Sequence, residues 1–198
     1  SEGSKDQTWI IPACVTVLQD DGAASQCFLI KDAQTSIALA TEQCPKAVLP
    51  NTGGTSYYRW SLPSSQWQAL LDSFEDLTVS EQISVANSLS AALNAGEISL
   101  ADYLVSVETL TRSKSWRVAT APRTDLYKIR DYVANDSDRA LLQEKMRAWY
   151  RPRLKQLNSL PELSEDEAQF RMLMMSTLAL GSADEDMRQT LAAAGSSL

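Results

Sequence analysis

The sequence predicts an α+β chain in two parts, a small antiparallel β-sandwich followed by an α-α superhelix of solenoid type. Three observations predict it. Short runs rich in Val, Ile, Thr, Tyr, Phe and Trp, separated by turn residues, fill the chain before Pro63. Apolar residues at helical spacing fill the rest. Caps and glycine stops cut that rest into helices of ~10 to 18 residues joined by short turns, the pattern of stacked antiparallel pairs. The expected parts are residues 1–62 and 63–198. There is no tight repeat signature, so the superhelix rests on helix lengths alone.

In chain order, the strands expected are Thr8–Leu18 (TWIIPACVTVL), Gln26–Ile30 (QCFLI), Thr35–Ala40 (TSIALA) and Ser56–Leu62 (SYYRWSL). The cluster QDDGAAS separates the first two. Pro12 has no N–H to give a ladder, so the first strand should be an edge or bulged there. In YYRW, Tyr58 and Trp60 share one face and Tyr57 and Arg59 the other. The simplest reading is a core aromatic layer with Arg59 paired to an acid at the sheet edge.

After Pro63, Trp67, Leu70, Leu71 and Phe74 form a helical stripe behind Ser64 or Ser65 as N-cap. Thr78 and Glu81 read as a capping box. The helix they open carries Ile83, Ala86, Leu89 and Leu93 and stops at Gly96. Ser99 starts the next helix, with Leu100, Leu104, Val107 and Leu110. Pro122 should start or kink a helix, with a similar interruption at Pro152. Ser164 and Glu167 form a second capping box, and a last helix begins near ADEDMRQTLAAA. Met172, Met174 and Met175 are expected to fill gaps between helices.

Composition narrows the function. The net charge is −7, with Lys and Arg scattered among acids, so no nucleic-acid footprint is present. No apolar run reaches the ~20 residues needed to span a bilayer. The polar start SEGSKDQ is no signal peptide, which leaves a cytoplasmic protein or a piece whose targeting segment lies upstream, a periplasmic parent included. The chain contains no histidine. That removes Ser-His-Asp, Cys-His and His-Glu-x-x-His chemistry together. Cys14, Cys27 and Cys44 fit neither a disulfide framework nor a zinc ribbon. Buried free thiols are the expected state, with a Cys14–Cys27 bridge between neighbouring strands as the alternative.

Local motifs add little chemistry. The pair Gly53–Gly54 in PNTGGTSYYRW lacks the spacing of a dinucleotide or Walker loop and leads into a strand, so it reads as a turn needing positive φ. MRAWYRPRLK (Met146–Lys155) interleaves four cations with two aromatics and reads as a solvated helix face. The acids of ELSEDE and ADED sit at helix starts, where they complement the macrodipole.

Taken in order, WIIPACV, FLIKDAQTSIAL, PNTGGTSYYRWSL and WQALLDSFEDLTVSEQISVANSLSAALNAGEISLADYL resemble the C-terminal region of aminopeptidase N-type zinc metallopeptidases. Trp9, Pro12, Asn51, Gly54, Tyr57, Tyr58, Arg59, Gly96 and Ser99 occupy matching positions. Ser56 stands where the family usually has Gly before the two tyrosines. The likeness covers residues 8 to 110 well and the remainder as helical texture. It implies a small β-sandwich acting as spacer and a concave helical domain closing over a catalytic domain. The zinc ligands and the substrate-amine segment of that family lie upstream, so the resemblance implies no catalytic or metal residue and no cofactor in this chain, with zinc in the parent. Its implied partners are that upstream catalytic domain and peptide substrates. On the lid reading, Arg117, Arg123, Arg147 and Arg151 are the candidates for holding a peptide's terminal carboxylate, since they lie on or beside apolar helices. A free-standing α-solenoid interaction module is the alternative. A carboxylate-based hydrolase would need two convergent acids, and no such pair stands out.

Overall fold

The structure, a computed structural model, describes residues 9–196; the polar start of the chain and Thr8 lie outside them. Three antiparallel strands come first, followed by helices. The chain divides into two compact units, one ending at Asp102 and one beginning at Tyr103.

In the first unit, β1 (Ile11–Gln19), β2 (Gly22–Ile30) and β3 (Ala47–Leu49) form a sheet of order β2-β1-β3. The hairpin closes over Asp20 and Asp21 alone, with Gln19 opposite Gly22, so the second strand starts four residues before the expected Gln26. β3 pairs with β1 over Thr16–Leu18. At Pro12, β1 therefore has β2 as its neighbour and an open opposite side, which is where a residue without N–H belongs. Ala13, Val15, Val17 and Leu18 of β1 are buried with Ala47 and Leu49.

Two expected strands are extended chain without ladder partners. In Thr35–Ala40, Ile37 and Leu39 are half-buried while Ser36, Ala38 and Ala40 are exposed. The alternation is real, but the Gln26 side chain stands in for a partner strand. It donates to Ala38 O at 3.1 Å and accepts from Ala40 N at 2.9 Å. Ser56–Leu62 is likewise unpaired. Its faces still divide as expected, with Trp60 buried, Tyr58 half-buried, and Tyr57 and Arg59 exposed. Arg59 has no acid partner among the described residues. Trp60 stacks on Trp67, ring centroids 4.7 Å apart. Trp60→Ala is expected to cost about 3–4 kcal/mol of unfolding free energy and Arg59→Ala under about 0.5 kcal/mol, read by urea denaturation.

Cys14 and Cys27 face each other across β1 and β2 and form a disulfide, with Cα atoms 4.0 Å apart. Cys44 is free and exposed. The expectation of three buried thiols is therefore corrected: directly opposed cross-strand positions bring two sulfurs within bonding reach. Alkylation of the non-reduced chain should label one thiol, and full reduction should expose three.

The first-unit helices follow. α1 (Ser64–Asp72) buries Trp67, Leu70 and Leu71 and packs against β3, with Phe74 buried in the next turn. Pro63, not Ser64 or Ser65, occupies the N-cap position. α2 (Val79–Ala95) starts on the Thr78–Glu81 capping box and ends at Gly96 in the left-handed region. Its buried stripe is Val85, Ala86, Leu89 and Ala92; Ile83 and Leu93 lie at its margins. α3 (Leu100–Thr111) follows and carries the chain into the second unit, with Ser99 Oγ accepting from Asp102 N at 3.1 Å.

In the second unit, α4 (Trp116–Thr120) and α5 (Arg123–Lys128) are divided at Pro122. A π-type turn, Ile129–Val133, leads to α6 (Asp136–Asn158), which continues through Pro152 without the expected interruption. Pro152 is exposed, while Leu142, Met146, Tyr150, Leu154 and Leu157 form one buried stripe. α7 (Glu165–Ser176) opens on the Ser164–Glu167 capping box, passes into the π-type turn Thr177–Gly181, and precedes α8 (Glu185–Gly195). The core joins Ala119, Tyr150, Leu154, Phe170, Met174 and Leu178, with Met175 packed against it. Met172, expected in the core, is exposed because it falls on the outer face of α7.

Candidate functional site

The glycine pair is the first place to look for an anion, and the structure puts one there. Gly53 and Gly54 have φ of 66° and 64°. The turn they make packs against the start of α2, and Gly53 N donates to Glu81 Oε1 at 3.0 Å. Glu81 Oε2 accepts from Thr78 N at 2.9 Å and from the Thr78 hydroxyl at 2.8 Å. The chain's own carboxylate thus fills the loop and the helix start together. Asn51, buried behind it, accepts from Ser56 N at 3.1 Å and donates to Ser56 O at 3.0 Å and Ser84 Oγ at 3.2 Å.

This clasp is sensitive to acid. Burial pushes the Glu81 carboxyl up, but the hydrogen bonds from Gly53 and Thr78 outweigh it and hold it below the ordinary range. Its folded-state value is depressed, so the stability it adds is present above the unfolded-state value and lost as pH falls. Denaturation midpoints should drop below about pH 4.5 in the native chain. Glu81→Gln should flatten that part of the profile.

The four candidate arginines differ in their commitments. Arg117 is exposed and lies over the Trp116 ring, 5.2 Å from its centroid. Arg123, at the start of α5, is half-buried over the Tyr127 ring at 5.7 Å, and its Nε has no hydrogen-bond partner. Arg147 and Arg151 share one face of α6. Arg147 donates to Ser182 O at 2.5 Å, and Arg151 Nε to Asp184 Oδ2 at 2.5 Å. The segment read as a solvated face is thus tied down. Arg153 adds to this, donating to the carbonyls of Thr111, Arg112 and Ser113 at 3.1–3.2 Å. Burial holds its guanidinium below its usual value.

Sequence reading missed this general use of arginine. Arg130 donates to Leu180 O and Gly181 O, Arg139 to Arg130 O and Ala134 O, and Arg188 to Ala179 O. Each guanidinium satisfies carbonyls that a helix or π-type end leaves free. No periodicity marks such residues, because their acceptors are backbone carbonyls, five to nine residues away for Arg139 and Arg188 and about fifty for Arg130.

Two clefts open in the second unit. One of about 480 Å³ is lined by Glu108, Arg112, Lys145, Trp149, Pro152 and Arg153. The other, about 250 Å³, lies by Arg151, Leu154, Leu178, Asp184, Met187 and Thr190. No group of three or more His, Cys, Asp or Glu placed to hold a metal ion occurs among the described residues. No helix among them is long and apolar enough to cross a membrane.

The fold is α+β, a three-stranded antiparallel sheet leading into helices. The chain belongs to the ERAP1-like C-terminal domain family, whose model matches residues 47–194. It is thereby a C-terminal region of the aminopeptidase N-type metallopeptidases, as the resemblance implied. The match runs from β3 to α8, well past residue 110, where the motif likeness fades. No curated protein matches the chain.

Proposed function

We propose that this chain is the non-catalytic C-terminal part of a zinc aminopeptidase, serving as spacer and lid over the active-site chamber and limiting which peptides enter. The observation that carries the reading is the family match over residues 47–194. In this reading residues 1–62 belong to a β-sandwich spacer and residues 63–198 to a superhelical lid. Without histidine the chain cannot supply the two His ligands of a His-Glu-x-x-His zinc site; in this reading the zinc, and the removal of N-terminal residues that it supports, belong to the upstream catalytic domain. Closing a lid sequesters substrate and excludes water, and a concave helical surface suits that task. The cross-strand disulfide fits an oxidising compartment.

Among the four arginines, Arg117 and Arg123 are the proposed contacts for a peptide's terminal carboxylate. Neither has an ion-pair partner among the described residues, whereas Arg151 is paired with Asp184 and Asp186. In the parent enzyme, Arg123→Ala should lower kcat/KM for long peptides about tenfold or more, the loss of a charge-assisted hydrogen bond. Small aminoacyl substrates should be unaffected. Equal effects on both substrates would reject the contact. The isolated chain should hydrolyse no aminoacyl-chromogenic substrate with added zinc, and a His-Glu-x-x-His segment should lie upstream in its reading frame. Hydrolysis that co-purifies with the chain would reject the proposal.

A further inference from the structure

The larger cleft of the second unit, about 480 Å³, is lined by residues of α3 and α6. Its size falls in the range of about 300–1,000 Å³ that small ligands use. The floor is apolar: Trp149, half-buried and packed against the core cluster, lines the cleft together with Pro152. The two helices are tied to each other beside it. Arg153 Nη1 donates to the carbonyls of Thr111, Arg112 and Ser113 at 3.1–3.2 Å, and its guanidinium lies over the Phe170 ring, 5.1 Å from the centroid. The cleft is therefore formed before anything enters it, and Arg153 is already committed.

Three polar groups of the lining remain for a ligand. Lys145, one turn before Trp149 on α6, is exposed and has no ion-pair partner among the described residues. Ala148 O stands four residues before Pro152, which has no N–H to give it, so this carbonyl lacks its usual helical donor. Glu108 of α3 spends Oε1 on Arg112, its one ion-pair partner among the described residues, and its side chain is 49% exposed. A cation, two acceptors and an aromatic floor share one cleft.

From that combination we propose that the cleft binds a free aromatic α-amino acid. The carboxylate takes Lys145, the ammonium takes Ala148 O and Glu108, and the ring stacks on Trp149 beside Pro152. A phosphate would meet the like charge of Glu108, and a plain aromatic acid would leave both acceptors unused. Free amino acids are what the parent releases on the peptidase reading, but the site does not depend on that reading.

Titration calorimetry of the whole chain with free L-phenylalanine tests it. Saturable binding is expected, and Lys145→Ala should weaken it about tenfold, the loss of one charge-assisted hydrogen bond. Glu108→Gln should weaken it to a similar extent. On the native chain, L-phenylalanine amide lacks the carboxylate and N-acetyl-L-phenylalanine lacks the ammonium; each should bind about tenfold more weakly or worse. Glycine, with no ring, should give no saturable heat. The absence of saturable binding by L-phenylalanine would overturn the proposal, as would unchanged affinity in Lys145→Ala. N-acetyl-L-phenylalanine also mimics the last residue of a peptide. If it binds as tightly as the free amino acid, the cleft holds peptide ends and the proposal fails. If Glu108→Gln does not fold, the acetylated compound reads the same contact on the native chain.

Discussion

Gly54→Ala should destabilise the chain by about 4 kcal/mol, combining left-handed strain with overpacking against backbone. A Cβ at Gly54 would stand 2.4 Å from Ser80 O and 2.9 Å from Ser80 C, atoms of the α2 start that cannot move without breaking the capping box. Gly53→Ala is the control. It has the same sign of φ, but its Cβ would meet just the Thr55 methyl at 3.4 Å. Its cost should be about 1–2 kcal/mol, the price of the backbone conformation alone. Urea denaturation of both variants separates close approach from conformation. Equal losses would mean that the loop is a turn and nothing more, with no seat on α2.

Tyr150→Ala should cost about 5 kcal/mol, the largest effect expected in the second unit. Tyr150 is 1% exposed and central to the core cluster, and its hydroxyl donates to Ala119 O at 2.9 Å. Truncation removes a large ring from a stripe shared with Leu154 and Phe170 and leaves that carbonyl unpaired. Tyr150→Phe should lose about 1–2 kcal/mol, the hydrogen bond without the packing. Burial pushes the Tyr150 hydroxyl above its ordinary value, so it stays a donor through neutral pH. A Phe variant as damaged as the Ala variant would show that the carbonyl contact, not the ring, organises this core.

The division of the chain into strands before Pro63 and helices after it was legible because both periods repeat over many residues. Both capping boxes were legible for a different reason: Thr78 with Glu81, and Ser164 with Glu167, depend on residues three apart and on little else. Ladder partners were not legible. Thr35–Ala40 has the alternation of a strand, yet its hydrogen bonds go to the Gln26 side chain, a partner no pattern names. Pro152 misled for a related reason. A proline on the exposed side of a long helix is tolerated when the opposite face, here Met146, Tyr150 and Leu154, is well buried.

The site was harder to read than the fold. Arg117, Arg123, Arg147 and Arg151 were singled out from their place beside apolar stripes, which says where a side chain starts and not what it meets. Arg147 meets Ser182 O and Arg151 meets Asp184, both more than 30 residues away. The glycine pair was rightly taken as a turn with positive φ. What the sequence concealed was its anion, because Glu81 already had a role in its own capping box. One carboxylate serves both, and that doubling joins the loop to α2.

The central claim is that this chain governs access to a catalytic centre located elsewhere in the parent enzyme. The most direct measurement compares the parent with and without the second compact unit, residues 103–198, on a small aminoacyl-chromogenic substrate and on bulky peptides. The account predicts that turnover of the small substrate persists, which also reports a folded zinc domain, while the ratio of kcat/KM shifts in favour of bulky peptides. An unchanged ratio with the small substrate still turned over would contradict it.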